Sequence, residues 1–236
     1  MNLVLLFPED FQDRPGIVRL AGRRMRHVQD VHRATVGDKL CVGLVNGLVG
    51  TGRVVRSDAT AVEMEVVLQD EPPTALPLLL VLALPRPKVL RRVLRAASSL
   101  GVKRLVLLHC SRVEKSFWQT PFLAQEAMQH QLVLGLEQAK DTMLPEVMLR
   151  KQFKPFVEDE LPQLIAGNTA LVAHPCAAES CPRSVTGATT LIIGPEGGFI
   201  PYEIEKLESM GVRSFSLGPR ILSVETAVPV IIARLF

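Results

Sequence analysis

Two stretches near the C-terminus carry residues whose types and spacing could do chemistry. The first is Leu191-Ile192-Ile193-Gly194-Pro195-Glu196-Gly197-Gly198. An apolar run stops at three glycines, a proline and a carboxylate, and Pro201, Glu203 and Glu205 then open a helical pattern. Proline suits a first helical turn, and acids there face the positive end of the helix dipole. Glycines at such a tip permit crowded or left-handed backbone and let a ligand approach the main chain. Glu196 would repel a phosphate and would suit a hydroxyl, an amine or a cation. No Lys-Ser/Thr pair follows and the spacing is not GxGxxG, which excludes the common phosphate-binding loops. The second stretch is Leu217-Gly218-Pro219-Arg220-Ile221-Leu222-Ser223-Val224-Glu225-Thr226-Ala227. Again a strand ends in Gly-Pro. A helix starting near Glu225 would keep Pro229 in its first turn, where proline costs little. Ala173-His174-Pro175 ends a third apolar run. Each loop alone reads equally as a plain strand-to-helix turn, with Ser223 or Thr226 as a helix cap. Two Gly-Pro loops this alike, each opening onto a helix, weigh against that plain reading.

The elements around these loops read as an α/β domain. Strands are predicted at Leu76–Leu84, Arg104–His109, Val147–Leu149, Ala170–Ala173, Thr190–Ile193 and Ser214–Leu217. Helices are predicted between them at Val89–Leu100, Leu123–Lys140, Phe156–Ile165 and Pro201–Met210, with Val224–Leu235 last. Such alternation implies a mainly parallel sheet, and ligands bind such sheets outside the carboxyl ends of the strands. The chain before this domain has another texture. Leu3–Phe7, Asp38–Val45, Leu48–Arg56 and Val62–Leu68 are short β-type runs, with Asn46-Gly47 as a hairpin signal and a short helix over Arg24–Arg33. They suggest a small barrel. Asp70-Glu71-Pro72-Pro73 is the boundary, giving domains 1–72 and 73–236.

Composition narrows the function classes. The chain has 236 residues, 47% of them hydrophobic, with a net charge of +3, which allows a sizeable core and argues against disorder. Its positive charge is clustered. Arg14, Arg19, Arg23, Arg24, Arg26, His27 and Arg33 form one reach, and Arg86, Lys88, Arg91, Arg92 and Arg95 another. These suit a polyanion, or equally a solvated helix face. Tyr and Trp occur once each, so an aromatic platform for single strands is not expected. Cys41, Cys110, Cys176 and Cys181 are scattered, as free thiols in a reducing cytoplasm would be. His174, Cys176 and Cys181 are too few for a zinc site, so no metal is expected. No apolar run has the length of a membrane span. Met1–Phe7 lacks a basic start and breaks at Pro8-Glu9-Asp10, so it reads as a strand and not a signal peptide.

The paired motifs IGPEGGF and LGPRIL-x-x-ETA resemble those of the RsmE family of 16S ribosomal RNA uridine-N3 methyltransferases, in the SPOUT superfamily. Val31-His32-Arg33 with Val36-Gly37-Asp38 resembles the family's amino-terminal element. Lys88, Leu100-Gly101-Val102, Glu137-Gln138, Pro145-Glu146 and His174-Pro175 match further segments. The resemblance implies a PUA-like β-barrel followed by an α/β SPOUT domain with a C-terminal trefoil knot, working as a homodimer. It implies S-adenosylmethionine (SAM) held by Ala173, His174, Pro175, Ile193, Gly194, Pro195, Glu196, Gly197, Gly198, Leu217, Gly218, Ile221, Leu222 and Thr226, with the glycines bringing main chain against the cofactor. Glu196 would compensate the sulfonium charge or hold the ribose. Arg220 and Glu225 are the candidate catalytic residues, Arg220 to stabilise the uracil anion, with Glu225 and Thr226 at the helix mouth holding the loop and the dimer partner in place. Arg23, Arg24, Arg26, Arg33, Lys88, Arg91 and Arg92 would meet phosphates of 16S ribosomal RNA, free or in the assembled small subunit. Departures lie on the substrate side. Ser223, Asp141 and Met143 stand where the family usually has arginine, Ser99 replaces a common glutamate, and Ile200 a capping serine. The alternatives are a SPOUT methyltransferase for another RNA base and a non-catalytic RNA-binding or assembly factor.

Overall fold

The computed structural model describes residues 2–12 and 14–236; Met1, where the apolar opening stretch begins, and Asp13 lie outside the described residues. The chain forms two compact units. One comprises Met1–Thr74 with Val133–Leu144, the other Ala75–Leu132 with Pro145–Phe236.

The first unit is built on a five-stranded sheet of β1 (Val4–Leu6), β2 (Ile17–Leu20), β3 (Lys39–Leu44), β4 (Val49–Ser57) and β5 (Val62–Asp70), in the order β1-β3-β4-β5-β2. β1 runs parallel to β3, and the other pairs are antiparallel. Alternate residues such as Val18, Leu20, Val62, Met64 and Val66 turn inward to one core with Val4, Leu6, Val42 and Val54. β2 has no counterpart in the sequence reading. It is only four residues long and lies in the basic reach; pairing with β5, Val18 opposite Met64, gives it its place. The helix expected over Arg24–Arg33 is shorter: α1 (Gly22–Arg26) followed by a π turn at His27–Val31. The sequence reading put residues 133–144 in the second domain. They pack with the first unit, because Val133 and Leu136 close a core over Leu3 and Leu5.

The second unit carries a six-stranded sheet of β6 (Leu78–Ala83), β7 (Arg104–Leu108), β8 (Glu146–Arg150), β9 (Thr169–Ala173), β10 (Thr189–Ile193) and β11 (Arg213–Phe215). Its order is β11-β9-β10-β6-β7-β8 and every pair is parallel, so all carboxyl ends lie along one edge. β6 and β10 are buried along their whole length, as continuous apolar runs in a parallel sheet should be. α2 (Pro87–Ser99) buries Leu90, Val93, Leu94 and Ala97, a helical stripe visible in the sequence. α3 (Gln125–Ala139) follows, then α4 (Phe153–Pro155), a π turn at Phe156–Glu160 and α5 (Leu161–Ile165), where one helix was expected. α6 (Pro201–Ser209) and α7 (Val224–Leu235) complete the unit, and α7 packs on α2. α7 begins at Val224, so Pro229 lies beyond the first turn expected for it and leaves the Glu225 carbonyl without its usual helical donor.

Candidate cofactor site

Three loops leave the carboxyl ends of β9, β10 and β11 and enclose a largely apolar pocket of about 470 Å³. Backbone ties set their spacing. The His174 N–H donates to the Phe215 carbonyl (2.9 Å), joining the β9 loop to β11. The Ser216 hydroxyl accepts the Gly218 N–H (3.1 Å) and lies 3.3 Å from the Pro175 carbonyl oxygen and 3.4 Å from that of Gly218.

The β10 loop is held from the neighbouring strands. Pro195–Gly198 is a turn closed by the Gly198 N–H on the Pro195 carbonyl (2.8 Å). Glu196 Oε1 accepts the Arg86 N–H (2.9 Å) from the loop after β6. The Arg112 guanidinium, on the loop after β7, donates to the Gly197 carbonyl (2.5 Å). Glu203 is 2% exposed and bridges two amides, Ser111 N–H (2.7 Å) and Ile200 N–H (3.0 Å), so it caps α6 where Ile200 has no capping oxygen. Cys110 lies inside this arrangement. Burial, and secondly Glu203, push its thiol well above the ordinary 9.0, so it is inert.

The glycines have reasons within the protein. A Cβ on Gly194 would come within 3.0 Å of the Phe199 ring, and one on Gly197 within 3.3 Å of Arg112 Cδ. Gly198 adopts φ +72, a left-handed value. Gly194 and Gly197 line the pocket, and their missing side chains also make room for Phe199 and Arg112. Gly218 differs. It lines the pocket at φ +113, and a Cβ there would meet no protein atom within 4 Å.

All the residues expected to hold a cofactor line this pocket except Thr226. Thr226 sits one turn along α7, with its hydroxyl 3.0 Å from that of Ser223. Arg220 is exposed and lines the pocket. Glu225 does not line it; its carboxylate pairs with Arg92 on α2 (3.0 Å). Glu196 lines the pocket, with one oxygen committed to Arg86. Phe199, Phe215, Ser216, Ser223, Val224, Ala227 and Ile231 also line it and were not foreseen. Most belong to strand ends or a helix, where apolar residues read as core.

The residues proposed for RNA divide in two. In the first unit, Arg23 makes a bidentate pair with Glu137 (3.0 and 3.1 Å), whose side chain is 1% exposed. Arg24 pairs with Asp10, donates to the Leu5 carbonyl (2.9 Å) and lies over the Phe7 ring. Both side chains are tied within the first unit, although that of Arg23 stays 38% exposed. Arg26 and Arg33 are exposed. In the second unit, Lys88, Arg91 and Arg92 lie on the exposed face of α2, with Arg91 over the Phe122 ring. Asp141 is buried and accepts the Met143 N–H (2.9 Å) within a turn.

Residues 72–236 match the model of a family described as an RNA methyltransferase domain. The chain belongs to the RNA methyltransferase family. Relatives over nearly the whole length support the RsmE resemblance of the two Gly-Pro loops. A ribosomal RNA small subunit methyltransferase E from Treponema pallidum is 28% identical over 96% of this chain and 87% of its own. One from Mycobacterium bovis is 23% identical over 98% and 90%. The fold is also that of a ribosomal RNA small subunit methyltransferase E from Neisseria gonorrhoeae solved with S-adenosyl methionine (TM-score 0.76, 20% identity, covering 98% of this chain and 95% of that one). A Legionella pneumophila structure in complex with bound SAM gives a TM-score of 0.75 at 22% identity, covering 99% and 96%. This RNA methyltransferase therefore carries its pocket at the strand ends where α/β sheets bind ligands. Among the described residues no helix is long and apolar enough to cross a membrane, and no group of His, Cys, Asp and Glu could hold a metal.

Proposed function

We propose that this protein is a SAM-dependent methyltransferase of small-subunit ribosomal RNA that modifies N3 of a uridine. The observation that carries this reading is the three-loop pocket with Arg220 in its wall, in a chain of the RNA methyltransferase family. The pocket fits the cofactor. Its volume is within the range of small-molecule sites, its walls suit an adenine, and Gly218 leaves one face open to a ligand. Residues 173–175, 194–198 and 217–222 would hold SAM, which supplies a methyl group on a positively charged sulfur.

The chain itself supplies orientation and charge. N3 of uracil must lose its proton to a base of the pocket wall, His174 or Glu196, and the resulting negative charge spreads over the ring. Arg220 stays cationic and planar through this change and stabilises the anion. Glu196 and His174 are the titratable groups of the pocket wall other than Arg220, and Glu196 already accepts a main-chain N–H. Glu225, paired with Arg92, ties the start of α7 to α2. The finer reading has a PUA-like first unit, a knotted second unit, a cytoplasmic location and a homodimer. Ile221, Val230 and Phe236 are exposed apolar residues around α7 and give a second copy a surface to cover.

Deleting the gene and mapping modified uridines of small-subunit RNA by mass spectrometry tests the proposal. One N3-methyluridine is expected to disappear. The native chain should restore it and Arg220→Ala should not. Unchanged ribosomal methylation on deletion would reject the reading.

A further inference from the structure

We infer that Arg112 is a positioning residue of the cofactor pocket, setting the Gly197–Gly198 peptide plane and with it the turn presented to SAM. The inference rests on the function proposed above. Arg112 lies behind the turn and not in the pocket wall. Its guanidinium donates to the Gly197 carbonyl at 2.5 Å, and its stem occupies the space a Gly197 side chain would need, 3.3 Å from Cδ and 3.5 Å from Cβ of Arg112. A peptide is planar and trans, so its carbonyl and N–H point in opposite directions. Drawing the Gly197 carbonyl toward Arg112 aims the Gly198 N–H the other way, into its 2.8 Å bond to Pro195. Without the arginine bond, only the Gly198 N–H bond to Pro195 restrains this Gly-Gly peptide, since neither residue has a Cβ to restrict it.

The anchor is itself fixed. Ser111, beside Arg112, donates its N–H to buried Glu203, and the other oxygen of Glu203 takes the Ile200 N–H just past the turn. The Val113 N–H closes on the Cys110 carbonyl (3.0 Å). The turn is thus held by Arg86 at Glu196, by Arg112 at Gly197 and through Glu203 at Ile200. All three ties are charge-assisted, and the arginine one is the one of the three that acts on the Gly-Gly peptide itself.

The test is SAM titration calorimetry on the full chain without RNA, with steady-state kinetics beside it. Arg112→Ala should raise the SAM Kd and the KM for SAM about tenfold, the size of one charge-assisted hydrogen bond. kcat and the KM for RNA should stay within about twofold, and Arg112→Lys, which keeps one donor, should fall between. Gly197→Ala should weaken SAM binding in the native background and add little to Arg112→Ala, because the tight 3.3 Å contact with Cδ is then gone and only the ordinary 3.5 Å one with Cβ remains. Arg104→Ala, an exposed arginine at the other end of β7, is the charge control. An unchanged Kd in Arg112→Ala, or equal losses of Kd and RNA KM, overturns the inference while the proposed function stands. If the native chain binds no SAM, the proposed function fails and the inference falls with it.

Discussion

Arg24 binds Asp10 through two nitrogens, the Leu5 carbonyl through one of them, and the Phe7 ring through its face. Asp10 in turn accepts the Phe7 N–H (2.8 Å), so β1 and the turn after it are gathered on one guanidinium. Side chains of this pair are 17% and 6% exposed. Removing one partner leaves the other charge in a poorly solvated place, which is costly even where the intact pair is not strongly stabilising. Arg24→Ala should therefore destabilise the first unit by about 3–5 kcal/mol, read from urea midpoints. Arg24→Lys should recover little of it, because lysine lacks the planar fork. Arg26→Ala, at an exposed site, should stay within about 0.5 kcal/mol of native. The same reasoning bears on RNA binding. Loss of RNA affinity on changing Arg23 or Arg24 therefore needs a stability control, and Arg26, Arg33, Lys88, Arg91 and Arg92 are the exposed residues that test the proposed RNA contacts.

At the scale of elements, turns carry much of the specification. The turn between β4 and β5 hangs on Asp58, whose Oδ1 accepts from the Thr60 hydroxyl (2.7 Å), the Thr60 N–H (2.8 Å) and the Ala61 N–H (3.1 Å). These bonds, with a smaller contribution from Arg56, hold the carboxyl well below its ordinary 3.8. A depressed folded-state value means that this stabilisation is complete above the ordinary value and is lost as pH falls below it toward the folded value. Urea midpoints from neutral to strongly acid pH should fall in that window, and Asp58→Asn should show a shallower acid limb. The loops of the strand-end pocket follow the same logic, and their positions were legible for the same reason. Apolar strands ending in Gly-Pro or His-Pro mark where a parallel sheet releases its chain, and three such ends meet in one pocket. What lay hidden were partners from distant sequence. Nothing near Gly197 announces Arg112, and nothing near Glu225 announces Arg92. Phe215 and Ile231 look like core because they are core, yet each also turns one side to the pocket. β2 was missed because four residues carry too little periodicity to stand out, and its register comes from β5.

At the scale of the whole molecule, the proline pair at Pro72-Pro73 marks a real change of texture but not the limit of the first unit. Residues 133–144 complete it. Val133 and Leu136 cover Leu3 and Leu5, and the Glu137 carbonyl accepts the N–H groups of Asn2 (2.9 Å) and Leu3 (3.0 Å). The Thr142 hydroxyl donates to the Gly47 carbonyl at the β3–β4 hairpin, and Asn46 Oδ1 accepts the Leu144 N–H (2.9 Å). Composition cannot show this, because the segment continues a helix that begins in the other unit's sequence. A fragment of residues 1–74 keeps the five strands and the Val18–Met64 core, but it exposes Leu3 and Leu5 and strips Arg23 of its carboxylate. Exposing core leucines costs roughly 1.5–3 kcal/mol each, a large share of what a unit this small can hold. The fragment should therefore exchange its β1 and β3 amides far faster than the intact chain does, while β5, paired on both sides by β4 and β2, retains the most protection. Hydrogen exchange followed by mass spectrometry distinguishes this from a self-sufficient domain, which would protect all five strands equally in the fragment and in the full chain.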